Sequence, residues 1–190
     1  MATSELSNGL IFFETRFDDK KGVEQLGRYL ARLIPESKKM VIFCIGSERV
    51  MGDALGPYLG SRLQEKGFNV IGTLKEPCHA KNLRSRIKEI PVGSFVLAVD
   101  ASITHQEEKK GNLILCSGAV EAGKSVGKEL PPVGDIHIKG LTATGGCDQL
   151  LYHSSLNLIV EMAQSIDDAI SLTQTNRATN HIRINDNAYI

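Results

Sequence analysis

The chain has 190 residues, of which 42% are hydrophobic and 23% charged, enough for one well-cored domain of ordinary globular composition. Lys plus Arg and Asp plus Glu both number 22, a formal net charge of +0 that gives no grip on nucleic acid or an anionic membrane. No stretch approaches the ~18 apolar residues of a membrane helix, and the opening MATSELSNGLIFF has no basic region leading into a long apolar run.

The first 20 residues read as a mobile or strand-adding arm. Gly22–Ile34 repeats apolar residues at helical spacing and stops before Pro35. Met40–Gly46 (MVIFCIG) is apolar at every position up to its glycine, the pattern of a strand buried on both faces. After a glycine-framed loop, Ala54–Lys66 reads as a helix closed by Gly67. Asn69–Leu74 is strand-like, and Ala80–Ile90 is a charged helix ended by Pro91. Ser94–Asp100 (SFVLAVD) is the clearest buried strand, and Gly111–Cys116 is another. Gly118–Val133, rich in Gly, Pro and Lys, suits a loop or a short broken helix. Ile136–Thr144 is strand-like, Leu150 to about Thr173 is a long amphipathic helix, and the tail after Asn176 is polar. This alternation predicts one α/β domain over 1–190, a three-layer α/β/α sandwich on a mixed, mostly parallel sheet.

The four cysteines, Cys44, Cys78, Cys116 and Cys147, are scattered, with no CxxC pair. They point to a reducing, cytoplasmic compartment without a disulfide framework or structural zinc. In open α/β sheets ligands bind beyond the carboxyl ends of the strands. Two aspartates fall there: Asp53, after the first core strand and its loop, and Asp100, at the end of SFVLAVD. Two carboxylates on one rim can share a proton, activate a water or hold a divalent ion. Asp53 equally suits a helix start, where a carboxylate caps the helix or meets its dipole, and Asp100 the start of a turn. His79, in the loop before the second helix, falls on the same rim, whereas His137 and His153 read as structural and His105 and His181 as surface residues. Gly118–Ser125 (GAVEAGKS) matches the phosphate-cradling GxxxxGK[ST] pattern after a strand, but Gly127 and Pro131-Pro132 leave little room for the helix that motif must open.

Several segments in order carry a resemblance: Cys44-Ile45-Gly46-Ser47-Glu48-Arg49 with Gly52-Asp53-Ala54-Leu55-Gly56-Pro57, then Glu76-Pro77-Cys78-His79-Ala80-Lys81-Asn82-Leu83. Val99-Asp100-Ala101-Ser102 and Leu130-Pro131-Pro132-Val133-Gly134-Asp135 continue it. From about Met40 to Met162 the chain resembles the YyaC-type sporulation proteins, a family similar to the germination protease of spore formers and, more distantly, to hydrogenase maturation endopeptidases. The resemblance implies a phosphorylase/hydrolase-like fold and a catalytic pair at Asp53 and Asp100, the places where the hydrogenase proteases bind nickel. It brings no third metal ligand, propeptide or named substrate with it.

The expected function is therefore an endopeptidase of sporulation or germination, cytoplasmic or in the forespore, acting on a protein or peptide. Asp53 and Asp100 would activate water with or without a divalent metal, the one cofactor in view, and His79 would assist. Gly46, Ser47, Glu48 and Asn82 would bind substrate or the developing oxyanion. The rival expectation is a spore assembly or peptide-binding protein that keeps the fold without turnover.

Overall fold

The apolar runs of the sequence meet in one six-stranded sheet in a computed structural model that describes residues 9–121, 130–145, 151 and 153–186, with side chains to residue 174. The strands are β1 (Ile11–Arg16), β2 (Met40–Cys44), β3 (Val70–Ile71), β4 (Phe95–Thr104), β5 (Asn112–Ser117) and β6 (Ile136–Thr144). Their order is β1-β5-β6-β4-β2-β3. The β2/β3, β2/β4 and β4/β6 pairs are parallel, and β5/β6 and β1/β5 are antiparallel. The helices are α1 (Lys20–Leu33), α2 (Leu55–Glu65), α3 (Leu83–Ile87) and α4 (Leu156–Asp186), with 3-10 turns at Met51–Ala54 and Glu107–Lys109.

Successive side chains of β4 point to opposite faces, and both faces are apolar. Leu97 and Val99 join Leu26, Leu30, Leu59, Met162 and Ile166 under α1, α2 and α4. Val96 and Ala98 join Phe43, Leu83, Val120 and Val133 under a thinner cover that includes α3. Burial on both sides explains the continuous apolar runs of β2 and β4, each large side chain contributing about 1.5–3 kcal/mol. The α/β sandwich is thus unequal, with three helices on one face and the shortest helix on the other.

The connections create the crevice. From β2 the chain passes through α2 to β3 at the sheet's edge, then returns through α3 to β4 on the other side of β2. Because the chain leaves β2 towards β3 on one side and leaves β4 towards β5 on the other, the sheet has a topological switch point where β2 and β4 end, the place where such sheets bind ligands.

Five boundaries differ from the sequence reading. Of the two expectations for the first 20 residues, the strand-adding one holds from Ile11 on: β1 pairs with β5 at the sheet's edge, and α1 starts at Lys20, within the expected arm, where Asp19 accepts the Lys21 amide at 3.1 Å. β3 has two residues, because Gly72 takes a left-handed φ of +96° and turns the chain off the edge. α3 is confined to Leu83–Ile87 because Asn82 binds the backbone of the preceding loop instead of continuing a helix. β4 runs past Asp100 to Thr104. α4 starts later, at Leu156, and extends through the expected polar tail to Asp186.

Candidate functional site

Backbone hydrogen bonds fold the loop after β2 onto the rim. The Ile45 amide donates to Val99 O at 2.8 Å, extending the β2/β4 pairing by one link, and the Gly46 amide donates to Cys78 O at 2.7 Å. Gly46 has a φ of +145°, and a Cβ there would stand 2.0 Å from Asp53 O. The Ser47 amide donates to that same carbonyl at 3.2 Å, and the Asp53 amide to Val50 O at 2.9 Å. The loop therefore closes on itself and returns Asp53 to the point where β2 leaves the sheet. Val50 and Ala54 hold the N-cap positions of the 3-10 turn and of α2, and Asp53 lies in the first turn of the 3-10 segment, a helix-start position where its charge also meets the local dipole.

Asp100 comes to this point from β4. Pairing of β2 with β4 ends at Cys44 and Val99, so Asp100 is the first β4 residue past the end of β2. It stands not at a strand end, as the sequence suggested, but at a step in the sheet where β4 continues beside β6 and β2 does not. Asp100 keeps partial exposure at this step. Burial first, and the Asp53 charge second, push its carboxyl up to about 8, while the Ala101 amide and the Lys139 ammonium pull it down. Near neutral pH the Asp100 carboxyl is thus drawn towards its neutral form.

The other candidates are placed around the pair with differing freedom. Gly46 forms the loop's buried hinge, and Ser47 Oγ accepts the Arg49 amide at 3.3 Å. Glu48 is exposed and meets Arg49 at 3.7 Å, away from any buried partner. His79 is half-buried, and its Nδ1 accepts the Lys81 amide at 3.3 Å. Asn82 is committed at both ends of its amide: Oδ1 accepts the His79 amide at 2.8 Å and Nδ2 donates to Pro77 O at 2.9 Å. Its evident work is to shape the loop that carries His79. Cys78 is buried beside the pair, and burial pushes its thiol up to about 12, so it is no thiolate at neutral pH.

His137 is structural: buried in β6, its imidazole meets Gly118 O at 2.8 Å through Nδ1. In the phosphate-loop look-alike, Gly118 and Val120 are tied by their amides to Asp135 O and Val133 O. Gly123, Lys124 and Ser125 lie outside the described residues. A groove of about 730 Å³ runs between the start of α1 and α4, and its lining, which includes Phe17, Val23, Ser165 and Leu172, contains none of the candidates. Among the described residues no helix is long and apolar enough to cross a membrane.

Lys139 is the residue that sequence reading missed. It is the register partner of Asp100 across β4 and β6. The available signal was a lone charge inside an apolar strand, IHIKGLTAT, but its meaning depends on a register the sequence does not disclose. Lys139 bears on the metal question too. Among the described residues no group of three or more His, Cys, Asp or Glu side chains can hold a metal ion. Among the described residues Asp53 and Asp100, the latter drawn towards its neutral form with the Lys139 charge acting on it, make an incomplete ligand set for a divalent ion.

The comparisons with known proteins agree with the motifs. The chain is 37% identical over 144 residues to the "Uncharacterized protein YyaC" of Bacillus subtilis (strain 168), covering 72% of this chain and 70% of that protein. Among solved structures it is similar to the [NiFe] hydrogenase maturation protease HybD from Thermococcus kodakarensis, with 16% identity, 73% and 99% of the two chains covered and a TM-score of 0.43. A second is the [NiFe] hydrogenase maturation protease HycI from Thermococcus kodakarensis KOD1, with 19% identity, 73% and 98% covered and a TM-score of 0.42. The family model described as "Protein of unknown function (DUF1256)" matches residues 14–169, most of the sheet and all of the candidate pair, and the chain belongs to that family.

Proposed function

We propose that this protein is a peptidase of the sporulation or germination programme in which Asp53 and Asp100 activate a water molecule. The observation that carries this reading is the meeting of two aspartates at the switch point, one of them protonatable near neutrality. A structural carboxylate gains nothing from a like charge beside it, whereas a proton-sharing pair requires one.

The chemistry follows from the two protonation states. The Asp53 carboxylate takes a proton from water as the water oxygen bonds to the peptide carbonyl carbon. The neutral Asp100 carboxyl gives its proton to the carbonyl oxygen, leaving a gem-diol. As the C–N bond breaks, the proton on Asp53 passes to the departing nitrogen, and a hydroxyl proton returns to Asp100. The Gly46, Ser47, Arg49, Val50 and Asp53 amides of the loop are bonded within the fold, and the Ser47 hydroxyl is the loop group that would meet the substrate backbone. His79 lies to the side as a substrate contact.

Cleavage of a peptide library, read by mass spectrometry, tests the reading. Asp53→Asn and Asp100→Asn should each lower cleavage by about 10²–10⁴-fold, the usual worth of positioned acid–base groups. Cleavage should also fall as pH rises through about 8, because the acid form of Asp100 is lost there. A library left intact by the wild-type chain from about pH 5 to about pH 9 would leave a peptide-binding protein as the reading of the crevice.

A further inference from the structure

We infer that Lys139 is the resident cation of this site, its ammonium supplying beside Asp100 the positive charge that carboxylate pairs elsewhere draw from a divalent ion. The inference rests on reading Asp53 and Asp100 as a working pair. Its basis is register. Asp100 and Lys139 are Cα partners in parallel strands, so the pleat sends both side chains to the same face of the sheet, next to each other. The preceding pair on that face is Ala98 and His137, and on the far side Lys139 is opposed by Ile114 of β5. Lys139 is half-buried between the buried His137 and Leu141 of its own face. An ammonium held among such neighbours costs free energy unless an anion lies near it, and its register partner Asp100 is a carboxyl on which its charge acts.

The electrostatics agree with the register. Lys139 opposes the combined upward push of burial and Asp53 on Asp100. The same charge also acts on His137 and Cys116, as a lysine central to this face must. Asp53, Asp100 and Lys139 together hold two potential negative charges and one fixed positive charge. A divalent ion entering between the carboxylates would have to share them with the ammonium, and the described residues supply no third ligand to compensate. Lys139 acts through the pair and is a positioning residue: it keeps the shared proton mobile and keeps metal ions out.

The test is calorimetric titration of the full chain with Ni²⁺, Zn²⁺ and Mn²⁺, which needs no turnover. Lys139→Met should bind one of these ions at least about tenfold more tightly than wild type, and Lys139→Met with Asp53→Asn should lose that gain. Lys139→Arg, which keeps the charge, should bind as weakly as wild type. Thermal melts monitor folding, and Lys139→Gln takes the place of the Met variant if that one unfolds. Two results overturn the inference: tight metal binding by wild type that Asp53→Asn abolishes, or no gain in affinity when the lysine charge is removed. A gain in affinity without peptide cleavage by any variant would uphold Lys139 and sink the hydrolase reading alone.

Discussion

Asp167 and Asp100 are both shielded carboxyls, and their surroundings are opposite. Asp167, in α4, is fully buried. It accepts from Arg62 Nε at 3.2 Å and Nη2 at 3.1 Å, from Lys66 Nζ at 2.6 Å and from Ser171 Oγ at 3.2 Å. One cation from α2 and one from its C-cap therefore answer one anion from α4, and Arg62 adds a hydrogen bond to Gln164. Asp100 faces a second carboxylate with a single lysine alongside, and is driven towards its neutral form. The chain is able to satisfy a buried carboxylate completely, and at Asp167 it does so. Leaving Asp100 next to Asp53 is then a departure that packing does not require, and such departures gather at functional sites.

The sharpest break of this contrast is to strand Asp167. Arg62→Met with Lys66→Met leaves Asp167 in the α2/α4 seam with, among the described residues, the Ser171 hydroxyl as its remaining side-chain hydrogen bond. Denaturant unfolding should show a loss of about 3–5 kcal/mol, the range for a buried ion deprived of its partners. Asp167→Asn should lose less, because Arg62 and Lys66 are 30% and 43% exposed and can turn to water. A loss below about 1 kcal/mol in the double variant would show that Asp167 is not held as the geometry implies, and the contrast with Asp100 would fall.

Gly46→Ala sharpens the other side. The new Cβ would press on Asp53 O in a backbone conformation that alanine rarely adopts. The expected loss of stability is about 1–3 kcal/mol, with cleavage falling further than that figure implies because Asp53 is displaced. Unaltered cleavage by a destabilised Gly46→Ala would separate the loop from the chemistry.

These contrasts were unequally legible in the sequence. The strand runs MVIFC and FVLAVD and the two rim aspartates could be read, because burial on both faces imposes unbroken apolar runs and the chain order sets the switch point. The strand-adding arm was one of two readings, and its partner β5 stayed hidden because the pairing spans about a hundred residues and leaves no local period. Asn82 looked like a ligand because its side chain's two backbone bonds are invisible without the turn. Lys139 and the Arg62–Lys66–Asp167 cluster share one reason for being missed. Charge partners brought together by strand register or helix crossing carry no sequence spacing by which to find them.

The smallest expected effect is a pH dependence of stability, and its sign separates the two carboxyls without any substrate. In the unfolded chain Asp100 gives up its proton near pH 4, and in the folded chain at about 8. Between those values the folded state binds more protons, so the stability contributed by protonated Asp100 is complete below about pH 4 and drains away as pH rises to about 8. Asp100→Asn keeps the shape of the neutral acid and cannot ionise. It should match wild type in stability at about pH 4 and exceed it increasingly up to about pH 8, by about 1–2 kcal/mol or some 2–8 °C in melting temperature once partial exposure has trimmed the effect. An advantage that grows towards acid pH, or none at any pH, would mean that Asp100 folds as an ionised, satisfied carboxylate. It would then belong with Asp167, and the reason for placing chemistry at the end of β2 would be gone.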